Sequence, residues 1–397
     1  MSGFKCKSKS ISSLLLIFLS LFFLTGCWDR TEVNDLALIM AAGIDKNKNN
    51  MIGLTVQVFI PRPPESGQQS GMSSKASSGQ TFVRSAEGKT LADAMSRLQE
   101  ELTRKIFWGQ NEVIVFGEKL AKDGVGDQID FWMRPSEPRM TADVFICKGV
   151  AKEILESMPE LERDSAKQLH ELAKTQIGVK VTVKDLAQML SGESDAAVLP
   201  WVENLPADRL GSKKKKIPFI NGVAVFKKEK MVGRLDDKAT RGILWPRNEM
   251  NSGVITISLD NEKGYVSLNL IRGHSELVPS IKDGKWRMAV KTNAEFDVIQ
   301  NTTNVNLSPK MIQEVEQQVR QEIQGRERLA FSRVQKKLNA DIFGFAETFQ
   351  RKYPEIWKVK KNEWNEIFQT VHVSFNTEVS IERLGLANGK RKRGEKY

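Results

Sequence analysis

The stretch Thr81-Phe82-Val83-Arg84-Ser85-Ala86-Glu87-Gly88-Lys89-Thr90-Leu91-Ala92-Asp93-Ala94-Met95-Ser96-Arg97-Leu98-Gln99-Glu100-Glu101-Leu102 decides the fold class. Thr81-Phe82-Val83 favours a strand, and Thr90 is suited to cap a helix with Asp93 three residues on. Leu91, Ala94, Met95, Leu98 and Leu102 then recur on one helical face. The same order returns downstream: Glu112 to Phe116 reads as a strand, Glu118 onward as a short helix, Thr141 to Cys147 as a strand and Val150 to Ser157 as a helix. Leu161 to Lys174 and Val183 to Leu190 add two helical patterns. Alternation of this kind predicts a mixed sheet with helices packed on it.

Upstream, Leu36 to Ile44 and Ile52 to Ile60 read as a hairpin, the second strand alternating Leu54, Val56, Val58 and Ile60 on one face. Pro61-Arg62-Pro63-Pro64 stops it, and the Ser, Gly and Gln of 65–80 predict an exposed mobile loop. Downstream, three prolines and the run Lys213 to Lys216 lie between Asp195 and Pro218, where a domain boundary is expected. Ile220 to Phe226 and Met231 to Leu235 read as a hairpin turning at Lys228-Glu229-Lys230. Val254 to Leu259, Tyr265 to Arg272, Trp286 to Val290 and Glu295 to Ile299 alternate as further strands, mainly antiparallel. From Pro309, Ile312, Val315, Val319, Ile323, Ala330, Val334, Leu338 and Ile342 mark a long amphipathic helix, which Gly325 would loosen. Its stripe is read as core packing in preference to a groove for a partner helix. A second helix is expected over Glu355 to Phe368, and a last strand over Val371 to Ile381.

The predicted fold is therefore α+β and multi-domain. Its expected segments are a signal peptide at 1–26, an α/β-type domain at 27–200 and a middle β-rich domain at 201–275. A C-terminal α+β domain at 276–388 and a basic tail at 389–397 complete the chain.

The 397 residues carry 60 Lys+Arg and 49 Asp+Glu, a formal +11; 40% are hydrophobic and 27% charged, a balance that buries real cores. Residues 1–26 hold three lysines and no acid, so their removal leaves 371 residues at +8. Lys213 to Lys216 contribute +4, and the tail from Lys390 to Lys396, with Glu395 counted, another +4. The rest of the body is formally neutral, so no domain-wide basic face is implied and nucleic acid is not an expected partner. The two clusters are local patches able to touch anionic head groups, or a solvated loop and tail.

Lys5, Lys7 and Lys9 precede an apolar run from Ile11 to Leu24, which ends at Leu24-Thr25-Gly26-Cys27. This is the layout of a secretory signal, and the run is short for a membrane-spanning helix. A leucine and two small residues before a cysteine resemble the lipobox of bacterial lipoproteins, which implies a diacylglyceryl group on the Cys27 thiol. Two acyl chains, at about 0.8 kcal/mol per buried methylene, hold a protein on a membrane. With Cys6 removed and Cys27 modified, only Cys147 remains, so no structural disulfide forms within the mature chain. In Val144-Phe145-Ile146-Cys147 it reads as a buried small hydrophobe, with a reactive thiol as the alternative.

Several fragments fall short of catalytic motifs. Gly88-Lys89-Thr90 sits between strand and helix, but Val83 replaces the first glycine of a phosphate loop and Glu87 would repel phosphate. His170-Glu171-Leu172-Ala173-Lys174 has lysine where a zinc helix needs its second imidazole, and His274 and His372 are far away in sequence. Gly192-Glu193-Ser194-Asp195-Ala196 is one residue short of a nucleophile elbow and follows a helix pattern. No catalytic, cofactor-binding or metal residue is assigned, and the chain reads as non-enzymatic.

Gly26-Cys27-Trp28-Asp29, Ala41-Ala42-Gly43-Ile44-Asp45, Arg104-Lys105-Ile106-Phe107-Trp108-Gly109-Gln110, Arg134-Pro135-Ser136-Glu137-Pro138-Arg139 and Val223-Ala224-Val225-Phe226 together resemble the GerAC lipoproteins. These are the C subunits of spore nutrient receptors. Asp341-Ile342-Phe343-Gly344-Phe345, Arg351-Lys352-Tyr353-Pro354-Glu355-Ile356-Trp357 and Trp364 resemble that family's C-terminal signature. Gln110 stands where histidine is expected and Ala346 where glycine is. The resemblance implies a lipid-anchored protein on the outer face of the inner spore membrane. Its partners would be two integral membrane subunits, A-type and B-type, together with membrane lipid, and its role receptor assembly or signal relay. A solute-binding lipoprotein of a transporter is the alternative, and an extracytoplasmic enzyme with an unusual site a third. Trp357, Trp364, Phe343, Phe345 and Phe368 read as core and helix-docking residues rather than ligand contacts. Arg134, Glu137 and Arg139 read as a local ion-pair turn or part of a subunit interface.

Overall fold

The computed structural model describes residues 32–59, 81–134, 138–157, 159, 161–175, 178–206, 216–260, 262–303 and 305–383. The signal peptide, Cys27, the 65–80 loop, Lys213 to Lys215 and the basic tail lie outside the described residues.

Two sheets organise the chain. The first begins with β1 (Leu36–Lys46), β2 (Ile52–Phe59) and β3 (Thr81–Gly88), an antiparallel meander. After helix α1 (Leu91–Glu100) comes β4 (Lys105–Phe107), a short parallel partner of β1, and then β5 (Val113–Gly117). Helices α2 (Glu118–Asp123) and α3 (Gly126–Met133) lead to β6 (Asp143–Cys147). Helices α4 (Ala151–Leu155), α5 (Ser165–Lys174) and α6 (Val183–Leu190) precede β7 (Ala196–Asn204), which pairs antiparallel with β8 (Pro218–Lys227); β9 (Lys230–Leu235) closes the edge. The order is β3-β2-β1-β5-β6-β7-β8-β9, with β1, β5, β6 and β7 parallel. A strand buried on both faces needs no polar alternation, which explains the continuous runs Val113-Ile114-Val115-Phe116 and Val144-Phe145-Ile146-Cys147. On one face Ile114, Val144 and Ile146 meet Leu98, Leu120 and Trp132. On the other, Val113, Phe145 and Cys147 meet Ile154, Ala166 and Leu169 of α4 and α5.

Helix α7 (Asp237–Leu244) joins the first sheet to the second, which is built from β10 (Val254–Ile257), β11 (Val266–Lys282), β12 (Lys285–Asn301) and, after several helices, β13 (His372–Arg383). Between β12 and β13 run α8 (Pro309–Phe331), a π-helical segment at Ser332–Leu338, and the shorter α9 (Phe345–Lys352), α10 (Pro354–Lys360) and α11 (Trp364–Thr370). The stripe Val315, Val319, Ile323, Ala330 and Val334 is buried in the core as the sequence predicts. Helix α8 passes through Gly325 unbroken, and the segment after it ends at Asn339 in the left-handed conformation, so Ile342 lies beyond the helix. Helix α7 crosses α8 closely because Gly242 has no side chain: a β-carbon there would lie 2.1 Å from the Arg326 carbonyl oxygen.

The structure corrects the sequence reading in two places, the strands of the second sheet and the helix before the last strand. The segments expected over Tyr265 to Arg272, Trp286 to Val290 and Glu295 to Ile299 lie, Tyr265 apart, within two 17-residue strands, β11 and β12. They join at Asp283-Gly284, both at positive φ, a two-residue turn matched to strand twist. The final strand, for which the sequence specifies no pairing, is parallel to β12, since a helical crossover reverses the chain between them. The helix expected over Glu355 to Phe368 is two helices joined by a tight turn at Lys361–Glu363. The expected boundaries at 200 and 275 do not separate the sheets. The first falls within β7, whose sheet continues into β8 and β9, and the second lies inside β11.

Candidate functional site

The signature segments converge on joints between elements. In Ala41-Ala42-Gly43-Ile44-Asp45, Asp45 stands near the end of β1 and its carboxylate accepts from the backbone N–H groups of Ala151 (2.8 Å) and Lys152 (3.2 Å) at the start of α4. Burial pushes the Asp45 carboxyl above its ordinary value, and the two N–H bonds pull against that. Gly43 lets α4 lie close, for a β-carbon there would meet Ala151 Cβ at 3.0 Å and Leu155 Cδ1 at 3.2 Å. Gly88-Lys89-Thr90 is a helix start: the Thr90 hydroxyl accepts from Asp93 N, and Asp93 accepts from Lys89 N at 2.8 Å.

The segment Arg104 to Gln110 carries β4 and then Trp108, which packs edge-on against Trp132 with ring centres 5.2 Å apart. Gln110 accepts from Arg139 Nη2 at 2.9 Å, while Arg134 pairs with Asp130 at 2.8 Å. Arg134 and Arg139 therefore bind different partners instead of sharing one local turn, and Glu137 lies outside the described residues. Cys147 is buried, and burial drives its thiol well above the ordinary range. His170 Nδ1 lies 2.7 Å from Asp143, whose carboxyl is raised by burial and drawn back by that bond and by Lys180. Among the described residues no group of three or more His, Cys, Asp or Glu gathers as a metal set.

The densest cluster is the C-terminal signature. Asp341 is buried, and its carboxylate accepts from Phe343 N (3.3 Å), Phe345 N (3.2 Å) and Ala346 N (2.8 Å), capping α9 after Gly344 takes a positive φ. Burial raises its carboxyl to about 7 against these bonds, with the charge of Glu347 adding to the rise. Phe331 stacks on Phe343 and Phe345 with centroids 5.3 and 5.7 Å away, and Trp286 meets Phe349 at 4.7 Å. Trp357 and Trp364 sit 5.1 Å apart, and both are buried. These aromatics are core and helix-docking residues, as read from the sequence.

This cluster also grips the first sheet's half of the molecule. Glu193, in the loop between α6 and β7, accepts from Trp357 Nε1 (3.0 Å) and from Gln350 Nε2 (2.8 Å). Ser194 N donates to Glu347 Oε1 at 3.2 Å. Beside this latch a cleft of about 370 Å³ is lined by residues of both halves, among them Lys180, Asp185, Arg247, Glu249, Asp341 and Glu347. Arg247 ties it together through the Ile342 carbonyl and Glu249 (2.6 Å). Sequence reading weighed Gly192-Glu193-Ser194 only as a hydrolase elbow; here its members receive and donate structural bonds. Its one local signal was an acid in a short loop between a helix and a strand.

Cys27, the residue to which the sequence assigns covalent chemistry, lies outside the described residues, and no helix among the described residues is long and apolar enough to cross a membrane.

Comparison with known proteins agrees with the order of these segments. Residues 29–204 match the family described as spore germination protein N-terminal domain, and residues 221–385 match that described as spore germination B3/GerAC like, C-terminal. The chain is 27% identical over 381 residues to the putative spore germination protein YfkR of Bacillus subtilis (strain 168), covering 95% of this chain and 98% of that protein. It is 27% identical over 393 residues to spore germination protein KC of the same organism, covering 94% and 96%. The crystal structure of the GerBC protein superposes with a TM-score of 0.53 at 17% identity, over 88% of this chain and 99% of that one, and shares the fold. The chain belongs to the GerAC family of spore germination proteins.

Proposed function

We propose that this protein is the lipid-anchored C subunit of a spore nutrient germinant receptor, held by a diacylglyceryl group on Cys27 at the outer face of the inner spore membrane. It works there with an A-type and a B-type integral membrane subunit. The observation that carries this reading is the use made of the family's signature residues. Asp45, Asp341, Trp357 and Trp364 are spent on joints between elements, and Glu193 latches the two halves. A body built this way suits assembly and relay of force between partners, and its action is non-covalent. Confinement to the membrane plane raises its effective concentration beside those partners. The two halves are unlike sheets, nine strands and four, whereas a transporter's solute-binding protein would close two similar lobes on its ligand. Deleting the gene in a strain with no redundant receptor tests the reading: loss of the nutrient response is expected, and an unchanged response overturns it.

A further inference from the structure

Beside α5 lies a cleft of about 500 Å³, whose lining includes Pro159, Leu161, Leu172 and Ile217 together with Glu171 and Lys174. Leu161 is 96% exposed, more than any other large hydrophobic side chain among the described residues. A lone exposed leucine needs no explanation, but one beside an apolar cleft marks a contact surface. Its position in the fold says what it contacts.

Two residues along, the Arg163 guanidinium lies 5.0 Å over the Phe59 ring, and Phe59 faces Leu38 across the β1–β2 ladder. Gln57 Oε1 accepts from Ala166 N at 3.0 Å, pinning the start of α5 to β2. The Leu161 loop is thereby fastened to the end of the sheet where β1 begins. From there the chain runs back through Glu32 to Cys27, five residue steps that reach at most about 17 Å when extended. Whatever surface holds Cys27 lies within that reach of this end of the molecule.

The charged groups nearby largely cancel one another. Glu171, the acid at the cleft on α5, is matched by both Lys167 (2.7 Å) and Lys174 (2.9 Å). Lys216, which ends the run read in the sequence and adjoins Ile217, holds Glu153 at 2.9 Å. Glu162 is the other acid of the lining. Ion pairing leaves these lysines no free charge to repel or recruit, and an apolar side chain on so nearly neutral a face can enter about 5–10 Å into the interface.

We propose that Leu161 and this cleft form the face that the protein lays on the membrane, with the Leu161 side chain entering the boundary between head groups and acyl chains. The proposal rests on the anchoring at Cys27 and adds to it an orientation. The test uses the acylated full chain on vesicles of phosphatidylglycerol and phosphatidylcholine, with a nitrobenzoxadiazole label at Leu161→Cys or, as control, at Ile299→Cys. Ile299 is also exposed but lies on β12 of the second sheet. Cys147 is buried and does not compete for the label. Blue-shifted emission and quenching by acyl-chain nitroxides at position 161, with aqueous emission at 299, are expected. Aqueous emission at both positions overturns the proposal, as does a shift at 161 that requires added integral membrane subunits, which would make the cleft a protein-docking site. Vesicle co-sedimentation is read separately, and its loss in the acylated chain would overturn the anchoring itself and the proposal with it. Leu161→Glu should retain the folded circular dichroism spectrum while weakening the residual vesicle binding of chain lacking acylation; unchanged binding in that variant also counts against the face.

Discussion

The indole N–H of Trp357 donates to Glu193 at 3.0 Å across 164 positions of sequence, and joins a signature residue of the C-terminal half to the loop that feeds β7. Glu193 also accepts from Gln350, so one carboxylate bridges two C-terminal helices to the first sheet. Trp357→Phe keeps most of the ring and removes the donor, and Glu193→Ala removes the acceptor. Each should lower unfolding free energy by about 1 kcal/mol, and the double variant should lose less than the sum. Denaturant titration of the four proteins checks this, and strict additivity would dissolve the latch.

Glu327, on α8, is 1% exposed, and its contact to Thr292 is a long 3.4 Å. Burial pushes its carboxyl from 4.5 up to about 8. A raised carboxyl binds a proton in the folded state that the unfolded chain has already released. Its contribution therefore declines as pH rises from 4.5 to about 8, by about 1.4 kcal/mol per pH unit. Glu327→Gln should flatten that part of the stability profile and be more stable than the parent at pH 8. Parallel profiles from pH 5 to pH 8 would show that Glu327 does not titrate in this window.

At Gly43 an added methyl meets Ala151 and Leu155 at contacts too short to absorb without movement. Gly43→Ala should cost about 1–3 kcal/mol by pushing α4 off β1. Faster hydrogen exchange at Ala151 and Lys152, whose N–H groups bond Asp45, is the accompanying sign. Exchange at wild-type rates in that variant would mean that α4 is not held in this way.

Cys147 is fully buried and its thiol is held in the neutral form. Iodoacetamide at pH 8 should leave it unmodified in the folded protein and alkylate it in denaturant, as mass spectrometry would show. Rapid alkylation of the native protein would restore the reactive-thiol alternative.

What the sequence made legible followed from local periodicity. The β1–β2 hairpin, the Thr90-capped helix, the parallel strands before Cys147 and the stripe of α8 all announce themselves within a few residues. The merged strands β11 and β12 did not, because Gly273 and Pro279 look like breaks although the strand carries both. The parallel placement of β13 depends on a crossover of some seventy residues, which no short window contains. For the same reason the burial of Trp357 and Trp364 was legible from their type, while the partner of Trp357 in Glu193 was not. The boundary expected in the proline-rich 195–218 segment lies where the two family matches, 29–204 and 221–385, adjoin, although β7 and β8 pair across it, and that pairing has no local signal.

Replacing Cys27 with alanine and following membrane fractionation, recovery of the A-type and B-type subunits with this chain, and the nutrient response in one strain tests the central claim most directly. The account predicts that the protein leaves the mature membrane-anchored pool, that its association with the two subunits falls, and that germination is impaired. Membrane retention and nutrient response indistinguishable from wild type would contradict it.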